Sequence, residues 1–166
     1  YTGSCGLRKG GEYLLKAMEE LDKIGFNYEL NIGGGYSPDD VLIGKYKPKH
    51  VNFIGQVPQD DLKGYLATSD CYLFPSLCEG CAQSGMEALT AGLPVIATYE
   101  SGLPITDGDN GILIDAANVA SIVDAVKRMA SDKSLRINLG TKAAEMMKNQ
   151  YTWDIYAKKV CIVYKK

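Results

Sequence analysis

From Gly11 to Lys23 the apolar positions Tyr13, Leu14, Ala17, Met18 and Leu21 recur every three or four residues, which predicts a helix with one buried side. Gly25 ends it. Tyr28–Ile32 then alternates like a strand and runs into Gly33-Gly34-Gly35, and Asp39–Tyr46 predicts a weak short helix. Val51–Gly55 reads as a short strand, and Gln59–Ala67 as a helix turning Leu62, Tyr65 and Leu66 inward. Cys71–Phe74 and Pro94–Thr98 are continuous apolar runs, the pattern of strands covered on both faces. A helix over Gln83–Ala91 separates them. Asp109-Asn110-Gly111 signals a turn and Ile112–Ile114 a last strand. Asn118 caps a helix through Ser131, and helices over Lys133–Lys148 and Trp153–Tyr164 complete the pattern.

Strands alternating with helices predict an α/β fold: a Rossmann-like doubly wound parallel sheet with helices on both faces and right-handed crossovers. The 166 residues suit a single domain over 1–166. Tyr1-Thr2-Gly3 reads as the tail of a strand, although strands usually run to about five residues. The expectation is therefore a fragment cut from a longer protein.

Chemistry concentrates between the two apolar strands, over Pro75–Leu89 and Ala91–Ala97. Glu79 and Glu87 bracket the predicted start of the intervening helix. Loops at the carboxyl ends of strands are where open α/β sheets bind ligands. Helix N-termini attract phosphate through their unpaired N–H groups and the helix dipole. A carboxylate on each side of such a site suits a ligand with hydroxyls at both ends and phosphates between them, and a nucleotide-diphosphate sugar has that layout.

Composition removes several other classes. A net charge of −2 without a basic run argues against a nucleic-acid partner. No apolar stretch reaches the roughly 18 residues of a membrane span, so at most peripheral membrane association is expected. The 5 cysteines (5, 71, 78, 81 and 161) lack a framework-like spacing and point to reduced thiols, hence to a cytoplasmic protein, at most at the inner face of the membrane. Gly33-Gly34-Gly35 is not a dinucleotide fingerprint, because Pro38 stands where the third glycine belongs. His50 is the only histidine and reads as a surface residue. No metal site is expected, since Cys78 and Cys81 find no second pair to complete four ligands. Cys78-Glu79-Gly80-Cys81 does leave a thiol redox protein as one alternative, because a helix N-terminus lowers thiol pKa.

Taken in order, Pro75-Ser76-x-x-Glu79-Gly80, Glu87-Ala88, Gly92-x-Pro94-Val95-Ile96-Ala97 and Asn110-Gly111-Ile112-Leu113 carry a family likeness. Upstream, Gly3…Lys9-Gly10, Ile32-Gly33-Gly34-Gly35 and Val51–Gly55 fit the same pattern, as does Tyr151-Thr152-Trp153 near the end. The set resembles the C-terminal domain of retaining nucleotide-sugar glycosyltransferases of family 4, which have the two-Rossmann-domain GT-B architecture. The resemblance implies transfer of a hexosyl group from a UDP-, GDP-, ADP- or dTDP-linked sugar to a saccharide or lipid-linked acceptor in polysaccharide biosynthesis, without cofactor or metal. It implies that Glu79 binds hydroxyls of the donor sugar and Glu87 the ribose. It also implies that the backbone N–H groups of Cys81, Ala82 and Gln83 face the sugar and diphosphate. By the same likeness Lys9 binds the diphosphate, so that Lys9 and Glu79 carry the catalytic roles, and Gln56 and Val57 border the base. The resemblance further implies that the acceptor is held by an N-terminal domain absent from these residues, so that the isolated donor domain is expected to be inactive.

Three positions depart from the family pattern. Ser4 stands where an arginine commonly contacts the diphosphate, leaving Arg8 as the guanidinium that would have to reach over. Ala82 replaces a glycine, adding a methyl group beside the sugar, and Ile105 replaces a glutamate. A nucleotide-binding module or a GT-B sugar epimerase is the further alternative.

Overall fold

The computed structural model describes residues 1–35 and 44–164. Among the described residues six α-helices and five parallel strands follow in the order α1 (Gly11–Lys23), β1 (Leu30–Gly33), β2 (Val51–Gly55), α2 (Gln59–Thr68), β3 (Tyr72–Phe74), α3 (Gln83–Thr90), β4 (Val95–Thr98), β5 (Ile112–Ile114), α4 (Val119–Ser131), α5 (Lys133–Gln150) and α6 (Trp153–Tyr164). The Asp39–Tyr46 helix expected from the sequence falls largely outside the described residues.

β1 pairs with β2, and β3–β4–β5 form a three-stranded parallel sheet. Between these two ladders runs the Tyr1–Ser4 segment. Gly33 donates to Tyr1 O at 2.9 Å and Gly3 to Gly33 O at 2.7 Å, so this segment extends the β1 edge. Toward β3 side chains make the link instead. The Tyr72 phenol accepts from Thr2 N at 3.2 Å and meets Thr2 Oγ1 at 2.7 Å, while Tyr1 stacks on Phe74.

All four residues of β4 are buried, as a strand covered on both faces must be. α1 packs against α4, and α3 against α5, so the helices cover the sheet as expected for the α/β class. Leu14, Leu15, Ala17, Met18 and Leu21 form the buried side of α1, with Tyr13 only partly covered. The Asn118 side chain accepts from Ser121 N at 3.1 Å, capping α4 as its sequence predicts.

Two expectations shift. β1 begins at Leu30 rather than Tyr28, because Tyr28 turns its phenol back onto Met18 O and packs edge-on against His50. Tyr65 is 40% exposed, leaving Leu66 as the one buried residue of α2. α6 has no buried residue, and Trp153 is 85% exposed. No helix among the described residues is long and apolar enough to cross a membrane.

Candidate functional site

Parallel strands deliver their following loops to one edge of the sheet, and a cleft opens there where the strand order reverses. In this chain the reversal lies between the Tyr1–Ser4 segment and β3. A cleft of about 640 Å³ occupies the place. All nine residues singled out from the sequence line it. Ser4 and Lys9 come from the loop before α1, and Gln56 and Val57 from the loop after β2. Glu79, Cys81, Ala82, Gln83 and Glu87 come from the β3–α3 loop and the first turn and a half of α3. Gly33, Gly34 and Gly35 close one wall.

The loop carrying Lys9 is fixed against the end of β3. The Arg8 carbonyl accepts from Leu77 N at 2.8 Å and from Ser76 Oγ at 3.2 Å. Gly10 adopts a left-handed φ of +72° with its α-carbon packed on Pro75, where a methyl group would overlap the carbonyl oxygen and lie 2.8 Å from the carbonyl carbon. Only glycine fits there. Ser76, fully buried, accepts at its carbonyl from the Thr98 hydroxyl, tying this corner to β4.

Lys9 sits at the opening of α1, where the positive end of the helix dipole disfavours a cation. Its surroundings compensate. The ammonium lies 3.5 Å from Glu79 Oε1 and 5.3 Å above the Phe74 ring centre. Arg8 also reaches Glu79, with Nη1 2.7 Å from the same Oε1 and 3.1 Å from Cys78 O. Arg8, which would have had to reach over to replace the arginine absent at Ser4, pairs with Glu79 instead and does not line the cleft.

The amides of the β3–α3 loop divide. Ala82 donates to Ser101 O at 3.2 Å and is 3% exposed, which corrects the expectation that its N–H faces a ligand. Glu79 N is likewise engaged, by Glu100 O at 2.9 Å. Cys81, Gln83 and Ser84 find no backbone acceptor for their N–H groups among the described residues. Gln83 and Ser84 open α3, so these donors have no partner within the helix. They lie beside the cleft together with the dipole's positive end.

Behind the cleft is a hydroxyl cluster that sequence reasoning missed. Tyr72 meets Ser84 Oγ at 2.9 Å as well as Thr2, and Ser84 Oγ donates to Thr2 O at 3.3 Å. Burial pushes the Tyr72 phenol up from its ordinary pKa, so it remains a neutral donor. The signal available was a tyrosine inside an otherwise apolar strand, since a buried phenol needs a partner. Cys78 and Cys81 are exposed thiols with no bridge between them. Among the described residues no group of three or more His, Cys, Asp or Glu side chains is placed to hold a metal.

A family model described as "Glycosyl transferases group 1" matches residues 1–146. The chain is 32% identical to the uncharacterized glycosyltransferase MJ1607 of Methanocaldococcus jannaschii, over 99% of this chain and 44% of that protein. It thus spans a little under half the length of such relatives. Among solved structures, the C-terminal domain of the group 1 glycosyl transferase LpcC from Francisella tularensis superposes with a TM-score of 0.79 at 24% identity, covering 92% of this chain and 87% of that one. Anabaena HepE, solved in complex with UDP-glucose, gives a TM-score of 0.82 at 17% identity, covering 99% of this chain and 48% of HepE.

Proposed function

As the chain belongs to the group 1 glycosyl transferases, we propose that it is the donor-binding C-terminal domain of a retaining, family 4 enzyme. In this reading it binds a nucleotide-diphosphate sugar, and the parent enzyme passes the sugar to a saccharide or lipid-linked acceptor held by a second domain. The observation that carries this is the convergence of Lys9, Glu79, Glu87 and the unpaired N–H groups of Cys81 and Gln83 on one cleft at the switch point. The bound UDP-glucose of HepE, a protein of the same fold, supports the ligand class.

Each part then has a task. Glu87 accepts from the ribose hydroxyls and Glu79 from those of the sugar, while Gln56 and Val57 border the base. When the bond between the anomeric carbon and the phosphate oxygen breaks, negative charge grows on the diphosphate. Lys9, the two amides and the α3 dipole are fixed beforehand where that charge appears, and such preorganised groups stabilise it without reorganisation. The acceptor oxygen bonds to the anomeric carbon on the face the phosphate leaves, and its proton passes to the departing phosphate oxygen. Neither glutamate needs to act as acid or base. Donor chemistry of this kind suits a cytoplasmic enzyme working at most at the inner face of a membrane.

Calorimetric titration of the chain with UDP, GDP, ADP and dTDP and with their sugar conjugates tests the reading. One nucleotide family should bind, without turnover by the chain alone, since transfer needs a closed cleft between two domains. Losing a carboxylate hydrogen bond costs about 1.5–3 kcal/mol, roughly ten- to a hundredfold in affinity. Glu87→Ala should weaken diphosphate and sugar conjugate alike, whereas Glu79→Ala should weaken only the conjugate. Failure of all four families at millimolar concentration, or identical selectivity in both variants and wild type, would overturn it.

A further inference from the structure

We propose that Arg8 is a positioning residue for Glu79: it holds one carboxylate oxygen so that the other is presented to a hydroxyl of the donor sugar. The inference rests on the sugar-binding reading of Glu79 given above.

The two oxygens of Glu79 are treated unequally. Arg8 Nη1 and Lys9 Nζ both converge on Oε1, at 2.7 and 3.5 Å. Among the described residues no protein donor reaches Oε2, and that oxygen is not a buried, unsatisfied atom. Glu79 lines the cleft, and with Oε1 held from the Arg8–Lys9 side its Oε2 keeps its lone pairs free of protein donors among the described residues.

Stability does not account for the pair. The Arg8 side chain is 61% exposed, and an ion pair so placed contributes little to folding. Yet the geometry is specific. The same Nη1 also donates to Cys78 O at 3.1 Å, so the guanidinium bridges the backbone just before Glu79 to its carboxylate. The Arg8 backbone is itself pinned by Leu77 N and Ser76 Oγ. A terminal carboxylate otherwise rotates broadly about its last torsion. Fixing that torsion before the ligand arrives removes an ordering penalty from binding, which is the general advantage of preorganisation.

Two other roles for Arg8 make different forecasts. As a direct diphosphate ligand it would line the cleft, and it does not. As a latch occluding Glu79 it would have to engage both oxygens, and it leaves one open.

The test compares wild type, Arg8→Ala, Arg8→Lys and the Arg8→Ala/Glu79→Ala double variant, titrated with the preferred nucleotide diphosphate and with its sugar conjugate. Arg8→Ala should weaken the conjugate about tenfold and leave the free diphosphate within twofold, with thermal stability unchanged. Arg8→Lys should recover part of the loss, because an ammonium still reaches Oε1. The double variant should bind the conjugate no more weakly than Glu79→Ala alone, since Arg8 acts through Glu79. Equal weakening of both ligands would make Arg8 a diphosphate ligand, tighter conjugate binding would make it a latch, and no change would make the pair incidental. Any of these three overturns the proposal. If wild type binds none of the nucleotides, the donor-domain reading falls and this inference with it.

Discussion

The two ends of α1 offer a controlled test of how closely the Lys9 loop is fitted to β3. Gly10 precedes the helix with φ +72°, and Gly25 follows it with φ +67°. Alanine at either position is forced into the left-handed region, at about 1–2 kcal/mol. Beyond that the sites diverge. A methyl group at Gly25 meets nothing within 4 Å, whereas at Gly10 it overlaps the Pro75 carbonyl, 2.8 Å from the carbonyl carbon where ordinary contact begins near 3.4 Å. Relieving such an overlap in a packed corner costs typically about 1–3 kcal/mol more. Alanine is also a poorer N-cap than glycine by a fraction of a kcal/mol. Gly25→Ala should therefore lose about 1–2 kcal/mol and Gly10→Ala about 2–5 kcal/mol, a large part of the 5–15 kcal/mol that holds a domain folded. Urea unfolding with linear extrapolation reads both values, and unchanged m-values would confirm comparable transitions. Because the retreat of the loop must carry Lys9 with it, Gly10→Ala should also weaken nucleotide binding at concentrations of urea where the fold is intact, while Gly25→Ala should not. Equal losses of stability for the two variants would refute the argument from close approach.

Two other tests address the buried chemistry. Tyr72→Phe removes the hydroxyl shared by Thr2 and Ser84, and leaving those groups unpaired should cost about 1–3 kcal/mol in urea unfolding; a loss below about 0.5 kcal/mol would mean that water replaces the phenol. Burial pushes the Cys71 thiol up to about 11, so at pH 8 it stays largely protonated although it is only partly covered. A thiol reagent should then modify Cys78, Cys81 and Cys161 quickly in the native chain, Cys71 more slowly, and the buried Cys5 only after unfolding, and mass spectrometry of the labelled peptides would show any departure from that order.

What the sequence made legible is what a contiguous segment can encode. The apolar runs at Cys71–Phe74 and Pro94–Thr98 marked strands covered on both faces, and β3 and β4 are those strands within a residue at each start. The Glu79–Glu87 spacing marked a loop and a helix start, and α3 begins at Gln83 as expected. Tyr28 and Tyr65 were harder, because a tyrosine fits a strand or an inward helix face yet can equally turn its ring to the surface or across to a neighbouring element. In both cases tertiary context decided, through the Met18 carbonyl and His50 for Tyr28 and through solvent for Tyr65.

Contacts between segments far apart in the chain were less legible, for a physical reason. Arg8 and Glu79 are 71 positions apart, and Thr2 and Tyr72 are 70 apart. No local period links such pairs; they come together only because parallel strands deliver their loops to one edge. The fate of Arg8 shows what this costs a sequence argument. Spacing alone allowed it to stand in for the guanidinium absent at Ser4, but its Nη1 is engaged by Glu79 and Cys78 O, and Arg8 does not line the cleft. Among the described residues that line the cleft, Lys9 is then the single cation. In the donor-binding reading, the remaining stabilisation of a diphosphate would come from oriented amides and the α3 dipole, which have a fixed direction but no net charge. A donor site balanced in this way depends more on the geometry of the β3–α3 loop than on the number of basic residues around it. The contacts that fix that loop, Glu79 N to Glu100 O and Ala82 N to Ser101 O, therefore belong to the site as much as the residues that face the ligand.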